Sequence, residues 1–234
     1  MKKIFSILTA CCLAAACLTA EAAVKVACVG NSITFGYGLR NPMQDSYPSV
    51  LQRMLGDGYE VHNYGVSART MLRKGDRPYF NERAFRDALA LKPDIVIIKL
   101  GTNDAKPENW KYGNEFEQDM NAIVDSFELH APGAEIFLAR PVPVRAEKWG
   151  ITEEVMSNEI YPIIHRIAQT RGLREIDLHK VFEGKLEHLA DNIHPDAEGA
   201  RMMAEEVYRV LTTPVAKKEA KALAKARKQY AKTK

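Results

Sequence analysis

The chain has 234 residues, 46% of them hydrophobic and 27% charged, and its 33 basic and 30 acidic side chains leave a net charge of +3. That balance excludes a disordered or fibrous chain and suits one medium domain with extensions, long enough to bury a core. The charge is unevenly spread: the stretch after Pro214 carries eight basic residues and one acidic, so the remainder is mildly acidic, near −4.

At the N-terminus, Met1-Lys2-Lys3 is a basic start and Ile4 to Leu18 an apolar run too short to span a bilayer. Ala20-Glu21-Ala22 then offers an A-x-A cleavage site, so residues 1–22 read as a secretory signal and the expected mature chain begins near Ala23. Such a chain is exported, periplasmic or extracellular, with no transmembrane helix. Lipoprotein processing at Cys17 or Cys11 is the alternative, giving a lipid-anchored envelope protein. Cys11, Cys12 and Cys17 would leave with the signal, and Cys28 alone cannot form an internal disulfide.

Strand-like and amphipathic stretches then alternate. Val24 to Val29 is apolar and β-branched, a first strand, ended by Gly30. Tyr47 to Leu55 reads as a helix stopped by Gly56 and Gly58, and Tyr59 to Tyr64 as a second strand running into Gly65-Val66-Ser67. Glu82 to Leu91 is a helix stopped by Pro93. Asp94 to Leu100 is apolar enough for a central strand buried on both faces, and ends at Gly101-Thr102-Asn103-Asp104. Phe116 to Leu129 is helical in its spacing, Ala134 to Ala139 a fourth strand, and Val144 to Ile151 a loop over the strand ends. Glu153 to Thr170 reads as a helix that Pro162 kinks or splits, and Leu173 to Leu178 as a fifth strand. A last helix follows Pro195. Residues 23–213 thus make one α/β domain with a parallel sheet covered by helices. Residues 214–234 are a basic tail, flexible or helical, with too few apolar side chains to bury a face. Such a tail is a solvated extension; attraction to anionic polymers or lipid is the alternative, and no nucleic-acid partner is expected.

The polar loops Gly30–Ser32, Gly65–Ser67 and Gly101–Asn103 all follow strands, and in a parallel sheet those ends share one rim. A fourth stretch, Asp191-Asn192-Ile193-His194-Pro195, sets a carboxylate near an imidazole just before the last helix. Serine, histidine, aspartate and amide donors supply the nucleophile, base, orienter and oxyanion contacts of acyl transfer. His62, His130, His165, His179 and His188 have no comparable setting, Asp45, Asp57 and Asp76 are loop residues, and no metal constellation stands out.

In these four blocks, in this order and spacing, the chain resembles the SGNH, or GDSL-like, hydrolase family. The blocks are Gly30-Asn31-Ser32-Ile33-Thr34, Asn63 with Gly65 and Ser67, Gly101-Thr102-Asn103-Asp104, and Asp191 to Pro195. The resemblance covers Val24 to about Thr212 and departs at one point, Asn31 standing where the family usually has aspartate. It implies a three-layer α/β/α, flavodoxin-like sandwich with a central parallel sheet of about five strands. It further implies Ser32 as nucleophile, His194 as general base and Asp191 as its orienter. The backbone amides of Ser32 and Gly65 and the side-chain amide of Asn103 would form the oxyanion hole, and no cofactor or metal would be needed. Among the family's substrates, O-acetylated carbohydrates fit this exported form best, with lysophospholipids or medium-chain esters and thioesters as the alternative. A carbohydrate- or envelope-binding module on the same fold is the non-enzymatic alternative. Thr34, Tyr37, Arg40, Thr70, Arg73, Trp110 and Trp149 are candidate substrate contacts, because aromatic faces and arginines suit sugar rings.

Overall fold

The structure, a computed structural model, describes residues 22–233, so the signal segment lies, but for its last residue, outside the described residues. Five strands form the sheet: β1 (Val24–Gly30), β2 (Tyr59–Gly65), β3 (Ile95–Lys99), β4 (Glu135–Arg140) and β5 (Arg174–Asp177). All neighbours are parallel and the order is β2-β1-β3-β4-β5. The helices are α1 (Ser32–Phe35), α2 (Pro42–Asp45), α3 (Tyr47–Leu55), α4 (Arg83–Ala90), α5 (Pro107–Trp110), α6 (Phe116–His130), α7 (Glu153–Val155), α8 (Tyr161–Arg171), α9 (Ala197–Thr212) and α10 (Lys217–Tyr230).

The strand order dictates the layers. From β1 the chain steps outward to β2, then reverses and crosses back over β1 to β3. With right-handed crossovers, that reversal places α3 on one face and α4, α6 and α8 on the other. Helix α9 packs against α3, while α4, α6 and α8 contact one another in a row. Phe85 of α4 meets Phe127 of α6 edge to face, with ring centres 6.0 Å apart. Phe116, Phe127 and Phe137 are fully buried, and each burial contributes about 1.5–3 kcal/mol. Cys28 lies inside the sheet, where loss of solvent pushes its thiol up to about 12, so it is inert packing.

Pro162 splits its helix rather than bending it. A wide π turn at Met156–Ile160 separates α7 from α8, and the proline sits in the first turn of α8, where its missing N–H costs nothing. The short helices α1, α2 and α5 lie in stretches the sequence marks only as loops. The basic tail is helical as α10 and lies against α8. It buries no apolar face there; Arg227 Nε donates to the Gly172 carbonyl at 2.9 Å, and Arg171 stacks 4.5 Å over Tyr230. Among the described residues, no helix is long and apolar enough to cross a membrane.

Reversal after β2 creates a crevice between the carboxyl ends of β1 and β3, where open α/β sheets place their ligands. Register brings Gly30 opposite both Gly65 of β2 and Lys99 of β3. At this crowded junction two glycines are steric necessities. A Cβ on Gly30 would fall 2.0 Å from Thr34 Oγ1, and one on Gly65 would fall 2.2 Å from the Phe35 backbone nitrogen. Because backbone cannot move aside as a flexible side chain can, Gly65→Ala is expected to destabilise the fold by about 1–3 kcal/mol. Denaturant unfolding measures this, and an unchanged midpoint would contradict the packing argument.

Candidate active site

Ser32 emerges from the end of β1 on a turn that Asn31 builds. Asn31 is in extended backbone, and its Oδ1 accepts the Ile33 N–H at 3.1 Å, capping α1. Gly36 ends the helix in the left-handed region at φ 92°. Ser32 therefore occupies the first helical position, where the geometry leaves its own N–H without an intrahelical partner.

The imidazole arrives from the far end of the chain. Asp191 Oδ1 accepts the N–H groups of Ile193 (3.2 Å) and His194 (2.8 Å), closing a turn in which Asn192 is left-handed at φ 80°. Its other oxygen, Oδ2, accepts His194 Nδ1–H at 2.9 Å. A carboxylate only accepts, so Nδ1 carries the hydrogen and Nε2 presents a lone pair. Ser32 Oγ–H donates to that nitrogen at 2.8 Å, across 162 residues of sequence. Ser32 and His194 are 8% and 6% exposed, screened but reachable.

Electrostatics keep the pair in working order. Partial burial pushes Asp191 up, but the His194 amide, the Lys148 ammonium and the His194 ring outweigh it, holding the carboxyl well below the usual range. Burial pulls His194 below its ordinary value; the Asp191 hydrogen bond and charge oppose this, and Lys99 and Lys148 reinforce it. At neutral pH the site therefore holds an ionised acid, a neutral base and a polarised hydroxyl, the arrangement that nucleophilic acyl transfer uses.

A cavity of about 550 Å³ opens beside this pair, lined by Ser32, Tyr37, Ser67, Ala68, Thr102, Asn103, Lys106, Glu108, Trp149, Ile151, Ile193 and His194. Asn103 uses one side-chain N–H on the Arg69 carbonyl (3.1 Å), and the amide group itself stands on the cavity wall. The second-block loop is pinned by Asp104, fully buried, whose carboxylate accepts the N–H groups of Met71 (3.0 Å) and Leu72 (2.7 Å). Burial pushes this carboxyl up to about 7 in spite of those bonds.

Gly65 requires a correction. Its N–H donates to Asn63 Oδ1 at 2.9 Å and it is absent from the cavity lining, so its role is close packing rather than oxyanion binding. The second-block residue that does face the cavity is Ala68, held in the left-handed region at φ 66°. No hydrogen bond among the described residues engages its amide. An alanine there costs about 1–2 kcal/mol against right-handed backbone, which marks the turn as constrained. Nothing in the sequence distinguishes Ala68 from its neighbours, because the signal is a backbone angle.

The substrate-contact candidates divide. Tyr37 and Trp149 flank the imidazole, with ring centres 4.7 and 6.1 Å from that of His194. Trp149 and Gly150 are the two central residues of a tight turn, left-handed at φ 55° and 73°, closed by paired hydrogen bonds between Lys148 and Ile151. Lys148 fastens that turn to the site: its ammonium donates to Asp191 Oδ2 at 2.9 Å and lies 4.5 Å over the Trp149 ring. The other candidates lie elsewhere. Thr34 is buried beneath Gly30, and Thr70 is buried with its hydroxyl on the Leu72 carbonyl. Arg73 lies 4.0 Å over Phe80 and pairs with Asp119, and Trp110 Nε1 donates to Glu159. Arg40 is exposed and outside the cavity lining. Nearness in sequence to a motif does not survive the turns that leave the rim. Of the remaining histidines, His165, His179 and His188 pair with Glu175, Glu153 and Asp196.

Comparison with known proteins agrees with this geometry. An acetylxylan esterase of Xylanibacter ruminicola is 47% identical over 203 residues; the match covers 79% of this chain and 42% of that protein, so the chain spans less than half of that relative. A carbohydrate acetylesterase of Sinorhizobium meliloti, Est24, superposes with a TM-score of 0.65 at 22% identity, covering 80% of this chain and 98% of that one. An aryl esterase of M. smegmatis gives 0.65 at 20% identity over 81% and 98%. At such identities these two likenesses concern the fold alone. The family model for GDSL-like lipases and acylhydrolases matches residues 28–202, a span that includes both Ser32 and His194, and the chain belongs to that family.

Proposed function

We propose that this protein is a serine esterase that removes small acyl groups, acetyl above all, from carbohydrate esters. The observation that carries the reading is the continuous hydrogen-bonded line Ser32 Oγ–His194 Nε2 (2.8 Å) and His194 Nδ1–Asp191 Oδ2 (2.9 Å), opening on a cavity.

In this mechanism Ser32 Oγ attacks the ester carbonyl while His194 Nε2 takes its proton, and Asp191 stabilises the resulting imidazolium. The developing oxyanion is bound by the Ser32 and Ala68 backbone N–H groups and the Asn103 side-chain amide, Ala68 taking the place expected of Gly65. His194 returns the proton to the leaving sugar hydroxyl as the carbon–oxygen bond breaks. Water, deprotonated by the same imidazole, then cleaves the acyl-serine to acid and free hydroxyl. Support for a sugar leaving group comes from the acetylxylan esterase relative and from the half-exposed rings of Tyr37 (49%) and Trp149 (56%) flanking the base. Export to the envelope or beyond fits such a substrate, and rests on the N-terminal signal read from the sequence.

Hydrolysis of 4-nitrophenyl esters from acetate to octanoate, together with acetylated xylo-oligosaccharides, tests this. Acetate is expected to be the best aryl ester, and Ser32→Ala to lower kcat by at least about 10³-fold. A profile peaking at octanoate would move the reading to lipid esters, and full activity in Ser32→Ala would remove the nucleophile. Asn103→Ala is expected to lower kcat by about 10²–10³-fold with little change in KM. Trp149→Ala should raise KM for the oligosaccharide and spare 4-nitrophenyl acetate; an equal effect on both would deny it a sugar contact. Because only neutral His194 accepts the proton and its pKa is lowered, kcat/KM should hold at pH 7 and decline as pH falls, with an apparent pKa below the ordinary ~6.5. An acidic limb above pH 7 would contradict the environment described for His194.

A further inference from the structure

Lys99 ends β3, the central strand, and is 0% exposed. Among the described residues no carboxylate lies within ion-pair reach of it; burial alone acts on its charge and pushes its pKa well below the ordinary lysine range. A buried amine without a counter-ion is costly, and an apolar side chain of the same length would fill the space more cheaply. What the amine does instead is reach forward beneath the catalytic rim. Its Nζ donates to Asn31 Oδ1 at 3.2 Å and lies 3.4 Å from Thr102 Oγ1. Asn31 immediately precedes Ser32, and Thr102 immediately precedes Asn103. The orientation of the Asn31 amide is settled independently, because the same Oδ1 accepts the Ile33 N–H. Strand register reinforces the placement, since Lys99 pairs with Gly30, the residue before Asn31.

We infer that Lys99 is a positioning residue: its amine ties the turn carrying Ser32 to the turn carrying Asn103 from below, fixing the nucleophile relative to the oxyanion donor. Asn31 is matched to this task. As an amide it accepts from the amine without demanding a proton on it, whereas an aspartate would draw a full cation under His194. An uncharged donor here leaves the imidazolium that forms during attack without a further like charge beneath it. The inference rests on the esterase reading above, since it concerns the same site.

The test compares wild type with Lys99→Met and Thr102→Val on 4-nitrophenyl acetate, recording kcat, KM and the thermal midpoint. Lys99→Met keeps the length and apolarity of the stem. It is expected to leave the midpoint unchanged or higher and KM within about twofold, while kcat falls by about 10–10²-fold as the two turns lose their common anchor. Thr102→Val, which removes one partner and keeps the shape, should lower kcat by about 3–10-fold, also without a change in KM. A kcat within about twofold of wild type in Lys99→Met, or a loss that merely tracks a lower midpoint, would overturn the assignment. Should Lys99→Met fail to fold, Thr102→Val decides by the same kcat-against-KM criterion. A wild-type protein inactive on every ester would instead remove the esterase reading, which is a different result from an active wild type beside an unaffected variant.

Discussion

The structure depends on one crowded junction, where Gly30 meets Gly65 on one side and Lys99 on the other. Parallel pairing fixes these three residues at the same height on the sheet, and the loops that follow them have nowhere to go but the same rim. The missing Cβ atoms let α1 turn directly over the sheet edge, within contact of the β2 terminus. Ser32 thereby comes to lie beside the second and third loops rather than above them. Every later feature of the site, from the Asp104 brace to the Trp149 turn, is built outward from that contact.

Much of this was legible in the sequence, and the reasons differ by element. Strands β1 and β3 announce themselves because a strand buried on both faces must be apolar almost throughout; Val26 to Val29 and Ile95 to Ile98 leave no other reading. Ser32, Asp191 and His194 were findable because their spacing within glycine- and proline-marked loops is short and local. Lys99 reads in sequence as a polar break at a strand end, and only the register shows what lies above it. Lys148 and Ala68 carry no sequence signal: one acts through a salt bridge across 43 residues, the other through a backbone angle. Gly65 misleads for a physical reason, since a glycine needed to admit a neighbouring backbone looks the same in sequence as one needed to admit a ligand. Thr34 and Trp110 mislead because a motif's neighbours in sequence leave its face within one turn of helix.

Two kinds of polar burial sustain the site. Asp104 and Asp191 each accept two backbone N–H groups, so each carboxylate acts as a staple that gives an irregular loop the hydrogen bonds a strand or helix would otherwise supply. Lys148 and Arg145 do the corresponding work from the opposite wall, the first on Asp191 and the second on the Asn192 side chain and, through its own N–H, the Asn192 carbonyl. The Val144–Ile151 loop is thus held to the segment that carries the base by charge and hydrogen bonding, with little apolar burial beneath it.

The Asp191–His194 turn has a consequence for how the machinery assembles and fails. Acid and base are three residues apart and share one carboxylate, which both closes the turn and orients the ring. They form a single local cassette whose internal closure costs little chain entropy. Bringing base to nucleophile is then one docking event, the seating of the segment before α9 against the rim, rather than the independent convergence of three side chains. Whatever loosens that segment removes acid and base together and leaves the five-stranded sheet intact. Loss of function in this fold can therefore precede loss of structure, as an on–off step set by the local stability of one short stretch of chain.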